Sequence, residues 1–183
     1  MKVTAARIPG VLELEPRVFG DERGFFLECW NAKAFREATG LDVTFVQDNH
    51  ARSSRGVLRG LHYQLERPQG KLVQVARGRI FDVAVDLRRS SPAFGRWVGV
   101  ELSDEDHRQV WIPPGLAHGY LVLSDEADVT YKATEFYAPE AERTILWSDA
   151  DLAIAWPHDL GEQPIISARD AAGTPFTKAD VFD

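Results

Sequence analysis

The chain has 183 residues, which at ~150 residues per domain is one domain with room for one sizeable core, spanning 1–183. Hydrophobic residues at 44% and charged residues at 27% exclude a disordered or fibrous chain, and 28 acids against 21 bases (formal charge −7) argue against a general nucleic-acid binder. No apolar run reaches the ~18–20 residues of a membrane span, the N-terminus lacks a signal-peptide core, and Cys29 has no second cysteine to pair with, so the expectation is a soluble cytoplasmic protein.

Period-two alternation predicts strands at Val11–Phe19, Gly24–Trp30, Val43–Gln47, Leu72–Ala76, Ile80–Leu87, Trp97–Leu102, Arg108–Ile112, Leu116–Leu123 and Val129–Tyr137. In Ile80–Leu87 the apolar row Phe81, Val83, Val85 and Leu87 opposes Asp82, Ala84 and Asp86. One helix is predicted over Asn31–Thr39, with Asn31 as N-cap and Gly40 as the stop, and one further turn over Asp149–Ala153. Turn signals at Gly20-Asp21, Gly56, Pro68-Gln69-Gly70, Ser90-Ser91-Pro92 and Pro113-Pro114-Gly115 separate the strands. The tail after Pro157 is polar and irregular and is expected to wrap the strands. Many short strands at this spacing give an all-β fold, a sandwich or barrel with few helices.

Charge is uneven along the chain. Between Arg52 and Arg79, Arg52, Arg55, Arg59, Arg67, Lys71, Arg77 and Arg79 face a single acid, Glu66. Such a segment suits either an anionic small ligand or a solvated strand face whose charges pair with acids elsewhere.

The densest cluster of chemistry is Arg59-Gly60-Leu61-His62-Tyr63-Gln64, followed by Gly70-Lys71; farther on come Pro113-Pro114-Gly115-Leu116-Ala117-His118-Gly119 and Val129–Tyr137. A Gly-flanked histidine strand followed by Pro-x-Gly-x-x-His resembles a cupin, a β-barrel or jelly roll. Many cupins hold a metal with His-x-His and a following Glu. Here the pattern is His62-x-Gln64, no acid follows at that spacing, and Lys71 would repel a cation, so no metal is expected.

Within cupins the chain is similar to the dTDP-4-dehydrorhamnose 3,5-epimerase family. The residues that carry this are Phe19–Phe26, Gln47-Asp48-Asn49-His50, Val57–Gln64, Gln69–Val73, Pro113–Gly119, Tyr131-Lys132, Tyr137-Ala138-Pro139 and Ser167-Ala168-Arg169-Asp170. The resemblance implies inversion at carbons 3 and 5 of dTDP-4-keto-6-deoxy-glucose, for dTDP-L-rhamnose biosynthesis. It implies no cofactor, since the substrate's ketone is the electron sink. It makes His62 the base, Asp170 its orienting partner, Tyr131 the acid and Lys71 the enolate stabiliser. Arg23, Arg59, His118 and Arg169 become partners of the diphosphate; Glu28, Gln47, Asn49 and Glu142 line the nucleotide end; Tyr137 stacks on thymine. It also implies a homodimer with exchanged N-terminal strands, so that Arg23 and Glu28 serve the neighbour's site.

Two geometric expectations follow from strand parity. On a regular strand Tyr131 and Tyr137 point the same way and line one cavity. Arg59 and His62 have opposite parity, so a bulge or bend near Gly60 is needed to put both on one face. Other functions remain open: a mono-epimerase of a related dTDP-4-keto-deoxysugar in antibiotic-sugar biosynthesis, a sugar-nucleotide ketoisomerase, a non-enzymatic sugar-nucleotide-binding cupin, or a metal-dependent cupin.

Overall fold

Strands form where alternation lets one face bury and the other find cover. The computed structural model describes residues 1–157 and 163–183. In chain order it contains β1 (Lys2–Ala5), β2 (Leu12–Glu15), β3 (Val18–Asp21), β4 (Gly24–Leu27), α1 (Ala32–Thr39), β5 (Gln47–Ser54), β6 (Leu58–Gln64) and β7 (Lys71–Arg77). There follow β8 (Arg79–Asp86), β9 (Trp97–Ser103), β10 (Gln109–Ile112), β11 (Leu116–Val122), β12 (Glu126–Ala133), β13 (Glu142–Thr144), α2 (Ala168–Ala171) and a 3₁₀ turn (Phe176–Lys178). Among the described residues no helix is long and apolar enough to cross a membrane.

Helix α1 stands as predicted: the Asn31 side chain accepts from the Ala34 N–H, and Gly40 ends it with φ 73°. Four strand expectations need correction. Gly24–Trp30 ends as a strand at Leu27, where the chain turns toward the Asn31 cap. Val11–Phe19 divides into β2 and β3 around Pro16, which has no N–H to give a ladder. Val43–Gln47 is a strand only from Gln47 on, because Val43 and Phe45 pack beside Phe35 and Trp30. β5 itself is a polar strand, and its odd-numbered residues are the more buried ones. Finally, Val129–Tyr137 ends as a strand at Ala133, so strand parity does not relate Tyr131 to Tyr137. Asp149–Ala153 is the single turn expected, closed by Ala153 N–H to the Asp149 carbonyl.

Two sheets make the body, with strand orders β1-β2-β10-β7-β12-β5 and β13-β6-β11-β8-β9. Between them lies a core of Val73, Val75, Val110, Ile112 and Val129 against Ile80, Ala84, Val100, Leu102 and Val122. The long apolar row of β8 does not face this core. Val83, Val85 and Leu87 turn outward beneath the C-terminal segment with Leu152, Trp156 and Ile166, leaving Asp82 on the inner face with Ile80 and Ala84. On the other sheet's outer face α1 seats Phe35 on Leu14, Leu72 and Trp111. β3 and β4 pair only with each other, as a separate hairpin.

The expected irregularity at Gly60 is present. His62 pairs with His118 but Arg59 with Tyr120, so β6 carries one residue more than β11. Leu58, Leu61 and Tyr63 consequently join the outer core while Arg59 and His62 share the inner side. Gly60 has φ 123°, and a Cβ there would stand 2.6 Å from Gly119 Cα and 2.8 Å from the His118 carbonyl oxygen. The C-terminal segment wraps the five-stranded sheet as expected, through bridges Val57–Ile165, Ile145–Thr174 and Arg88–Phe182; residues 158–162 lie outside the described residues. Gly60→Ala is expected to cost about 2–4 kcal/mol, from backbone strain plus overpacking against backbone that cannot yield. Urea denaturation monitored by fluorescence checks this.

Candidate active site

Between the sheets several inward positions are polar rather than apolar. β6 supplies Arg59 and His62, β7 Lys71, β8 Asp82, β11 His118, and β12 Tyr131, while β5 adds Gln47, Asn49 and Ser53. His62 and Tyr131 belong to opposite sheets and approach the space from opposite walls.

The His62 Nε2 lies 2.6 Å from Asp170 Oδ1, a contact across 108 sequence positions. Asp170 sits in the one-turn helix α2, where its N–H donates to the Ser167 hydroxyl at 3.0 Å. The tail holds its place on both sides of that turn. Ile165 bonds to Gly56 and Leu58, and Thr174 bonds to Thr144 and Leu146. Gly173 permits the second contact, since a Cβ there would lie 2.7 Å from the Leu146 nitrogen. Asp170 is only 4% exposed. Burial pushes its carboxyl up, but the bonds from His62, the Gly60 N–H and Ser167 outweigh that and hold it below its usual range. An ionised Asp170 accepts the Nε2–H, leaving His62 Nδ1 with the lone pair that can take a proton.

Half-buried Lys71 has its ammonium 5.9 Å from the centre of the Tyr131 ring. Burial lowers its pKa from 10.5 to about 8, opposed by the charges of Asp82 and Glu142. Tyr131 moves the other way: burial raises its phenol, so it stays protonated at neutral pH and can donate. His118, expected at the diphosphate, is buried beside these groups, with Nε2 2.7 Å from Asp82 Oδ2. Asp82 was not singled out by sequence. The available signal was an acid on the strand face opposite an unbroken apolar row.

Tyr137 reaches the site from the loop after β12. Its N–H donates to Gln47 Oε1 at 2.9 Å, and Gln47 in turn donates to Asn49. The Tyr137 hydroxyl donates to Glu142 at 2.5 Å, and the Arg169 guanidinium binds the same carboxylate oxygen. Arg59, exposed, donates its Nε to the buried Ser53 hydroxyl at 2.9 Å, and its charge acts on Tyr131. The structure thus gathers His62, Asp170, Lys71, Tyr131, His118, Arg59, Gln47, Asn49, Tyr137, Glu142 and Arg169. It does not gather Arg23 and Glu28. Arg23 pairs with Asp21 in the separate hairpin, and Glu28 accepts from Asn31.

The reading of the basic segment as charges paired with acids elsewhere holds for five of its residues. Arg52, Arg55, Arg67, Arg77 and Arg79 pair with acids on neighbouring strands or in the loops beside them, whereas Arg59 and Lys71 have no ion pair among the described residues. Gln64, at the position where many cupins carry a metal-binding histidine, is committed to backbone. Its amide nitrogen donates to the Arg67 and Phe136 carbonyls, and its oxygen accepts from the Ala138 N–H. A cleft of about 840 Å³ lies on the opposite face of β6 and β11, lined by Leu58, Leu121, Trp147 and Trp156, and holds none of the candidate residues.

The profile of the dTDP-4-dehydrorhamnose 3,5-epimerases matches residues 5–178. The chain belongs to that family. A dTDP-4-dehydrorhamnose 3,5-epimerase of Pseudomonas aeruginosa is 58% identical over 182 residues, covering 100% of this chain and 99% of the relative. Among solved structures, a dTDP-6-deoxy-D-glucose-3,5-epimerase of Legionella pneumophila in complex with dTDP-4-keto-L-rhamnose superposes with TM-score 0.94 at 52% identity, covering 98% and 94% of the two chains. A 3'-monoepimerase from Streptomyces bikiniensis in complex with dTDP-quinovose gives TM-score 0.87 at 38% identity, with 94% and 86% covered. For an epimerase with this site, His62→Ala and Asp170→Ala are each expected to lower turnover by about 10²-fold or more. Steady-state rates with the family's 4-keto sugar nucleotide check this, and near-wild-type rates would remove either residue from catalysis.

Proposed function

We propose that the chain, as one catalytic domain spanning 1–183, inverts carbons 3 and 5 of dTDP-4-keto-6-deoxy-glucose to give dTDP-4-keto-L-rhamnose. No cofactor takes part, because the ketone at carbon 4 receives the electrons of each broken C–H bond. The observation that carries this is the pair of half-buried His62 and buried Asp170 facing Lys71 and Tyr131 across the space between the sheets.

The steps follow from the chemistry of each group. His62 Nδ1 takes the proton next to the ketone, and Asp170 steadies the imidazolium that results. The negative charge that gathers on the ketone oxygen is met by the Lys71 ammonium, in a site shielded from water where such charge counts most. Tyr131, on the opposite wall, returns a proton to the other face of the carbon. Arg59 and Arg169 supply positive charge for the diphosphate, and Tyr137, Gln47, Asn49 and Glu142 form the nucleotide end. Inversion at both carbons is favoured over a single inversion, since identity is 58% to a 3,5-epimerase and 38% to the monoepimerase.

The protein works as a homodimer in this account, and in the cytoplasm, where an exposed single thiol such as Cys29 persists. Support for the dimer comes from the hairpin β3–β4. Phe25 and Phe26 are 64% and 66% exposed beside exposed Val18 and Phe19, with Arg23 at the turn. Docked on a second copy, these side chains leave water, and Arg23 and Glu28 enter the neighbour's site.

Incubation with dTDP-4-keto-6-deoxy-glucose in deuterated water should place label at carbons 3 and 5 by NMR. Label at one carbon would mean a mono-epimerase, and none despite dTDP binding would mean a binding protein. Tyr131→Phe should spare proton loss more than proton return, so exchange outlasts net inversion; unimpaired epimerisation would sink its acid role. Since Lys71 acts when charged, kcat/KM is expected to fall as pH rises through about 8, and a flat profile to pH 9 would remove that role.

A further inference from the structure

A second imidazole–carboxylate pair, His118 and Asp82, lies beside the first, and the steps above leave it unused. β8, β11 and β6 are neighbours in one sheet, with His118 directly opposite His62 on β6 and Tyr120 directly opposite Asp82 on β8. The two rings stand side by side, each with its own acid: His62 with Asp170, His118 with Asp82 at 2.7 Å.

Asp82 is 2% exposed and His118 6%. The inward residues that flank Asp82 on β8 are Ile80 and Ala84, both core. A carboxylate at such a place is expensive, and an apolar pair of similar volume would serve stability at least as well. The other histidine paired to a buried acid, His50 with Asp128, has its imidazole largely in water and its carboxylate neutralised by Arg52. No arginine or lysine makes an ion pair with Asp82 among the described residues, although its charge acts on Lys71. His118 donates Nε2–H to Asp82, and Nδ1 makes no hydrogen bond among the described residues. Burial holds this ring neutral, so His118 does not cancel the charge of Asp82.

We propose that Asp82 is a positioning residue for the epimerisation: its buried carboxylate fixes the His118 ring and supplies the negative charge that keeps the facing Lys71 ammonium ready for the enolate oxygen. This rests on the proposed function and deepens it. Around Lys71 the titratable groups are Asp82 from β8, His118 from β11, Tyr131 from β12 and Glu142 from β13, with His62 beyond His118 on β6. Of these, Asp82 and Glu142 are the carboxylates that oppose loss of the lysine proton, and Glu142 is already shared by Tyr137 and Arg169. Asp82 thus opposes loss of the Lys71 proton alongside Glu142, and without it that charge disappears at lower pH.

The test is Asp82→Asn, which keeps shape and a hydrogen-bonding oxygen but removes the charge. At pH 7.5 kcat should fall by about 10-fold or more, while KM and the Kd for dTDP stay within about twofold, since the nucleotide binds at the other end. The alkaline limb of kcat/KM should move down by roughly one pH unit. A purely structural role would lower the amount of folded enzyme without moving that limb, so an unmoved limb overturns the proposal. If Asp82→Asn does not fold, His118→Asn decides, because it keeps the Asp82 charge facing Lys71. Its limb should lie no lower than that of the wild type, and a lower one overturns the proposal. Wild-type enzyme that incorporates no deuterium would instead overturn the proposed function and this inference with it; wild-type incorporation with an unmoved limb overturns the inference alone.

Discussion

The 2.6 Å contact between His62 and Asp170 is where the fold and the chemistry of this protein meet. An imidazole can take a proton at carbon only if its ring is held in one tautomer and its cation has somewhere to discharge its field. Both needs fall on one carboxylate, and the chain supplies it from 108 positions away, in a single turn of helix too short to be stable by itself. Everything around that turn serves its placement. Ile165 and Thr174 bond to the sheet on either side, Gly173 allows the close approach, and the outward apolar row of β8 gives the tail a surface to cover. The outward turn of that row, in place of a second face against the core, is thus tied to the position of Asp170 against His62.

The same inversion of faces leaves polar groups inside. A sandwich whose inner rows were uniformly apolar would have no room for an anionic intermediate. Here the inner rows interleave apolar residues such as Val73, Ile80 and Val129 with polar ones, Lys71, Asp82 and Tyr131. The charges of the polar ones and their neighbours are close to balanced, with Asp82, Asp170 and Glu142 against Arg59, Lys71 and Arg169. That balance lets buried groups stay ionised at bearable cost while leaving Lys71 without a direct ion pair. In the proposed reaction that leaves its ammonium available to the ketone oxygen.

The hairpin β3–β4 is the part of the chain that its own fold leaves incomplete. It carries four exposed apolar side chains and an arginine, and it pairs with no other strand among the described residues. Its Phe25 ring lies 4.5 Å from His107, but most of its apolar surface stays in water, and a two-stranded ribbon has marginal stability there.

Much of this was legible in the sequence, because much of it is local. Alternation gave the all-β class, Asn31 and Gly40 bounded α1, and the opposite parity of Arg59 and His62 required the bulge that Gly60 and Gly119 make possible. The motif series named the family, and with it His62, Lys71, Tyr131 and Asp170. What the sequence could not carry was anything that depends on which face of a strand looks inward. A polar strand such as β5 has no hydrophobic period to announce it, and the end of β12 at Ala133 broke the parity between Tyr131 and Tyr137. Asp82 and the apolar row beside it read the same whether the row faces the core or the tail, and only the packing of the C-terminal segment decides between them. Pairing of the basic segment was decided the same way, since five of its charges meet acids brought by neighbouring strands and two do not. Periodicity is a property of neighbours along the chain, whereas burial, ion pairing and the two imidazole–carboxylate contacts belong to residues that only the folded sheets bring together.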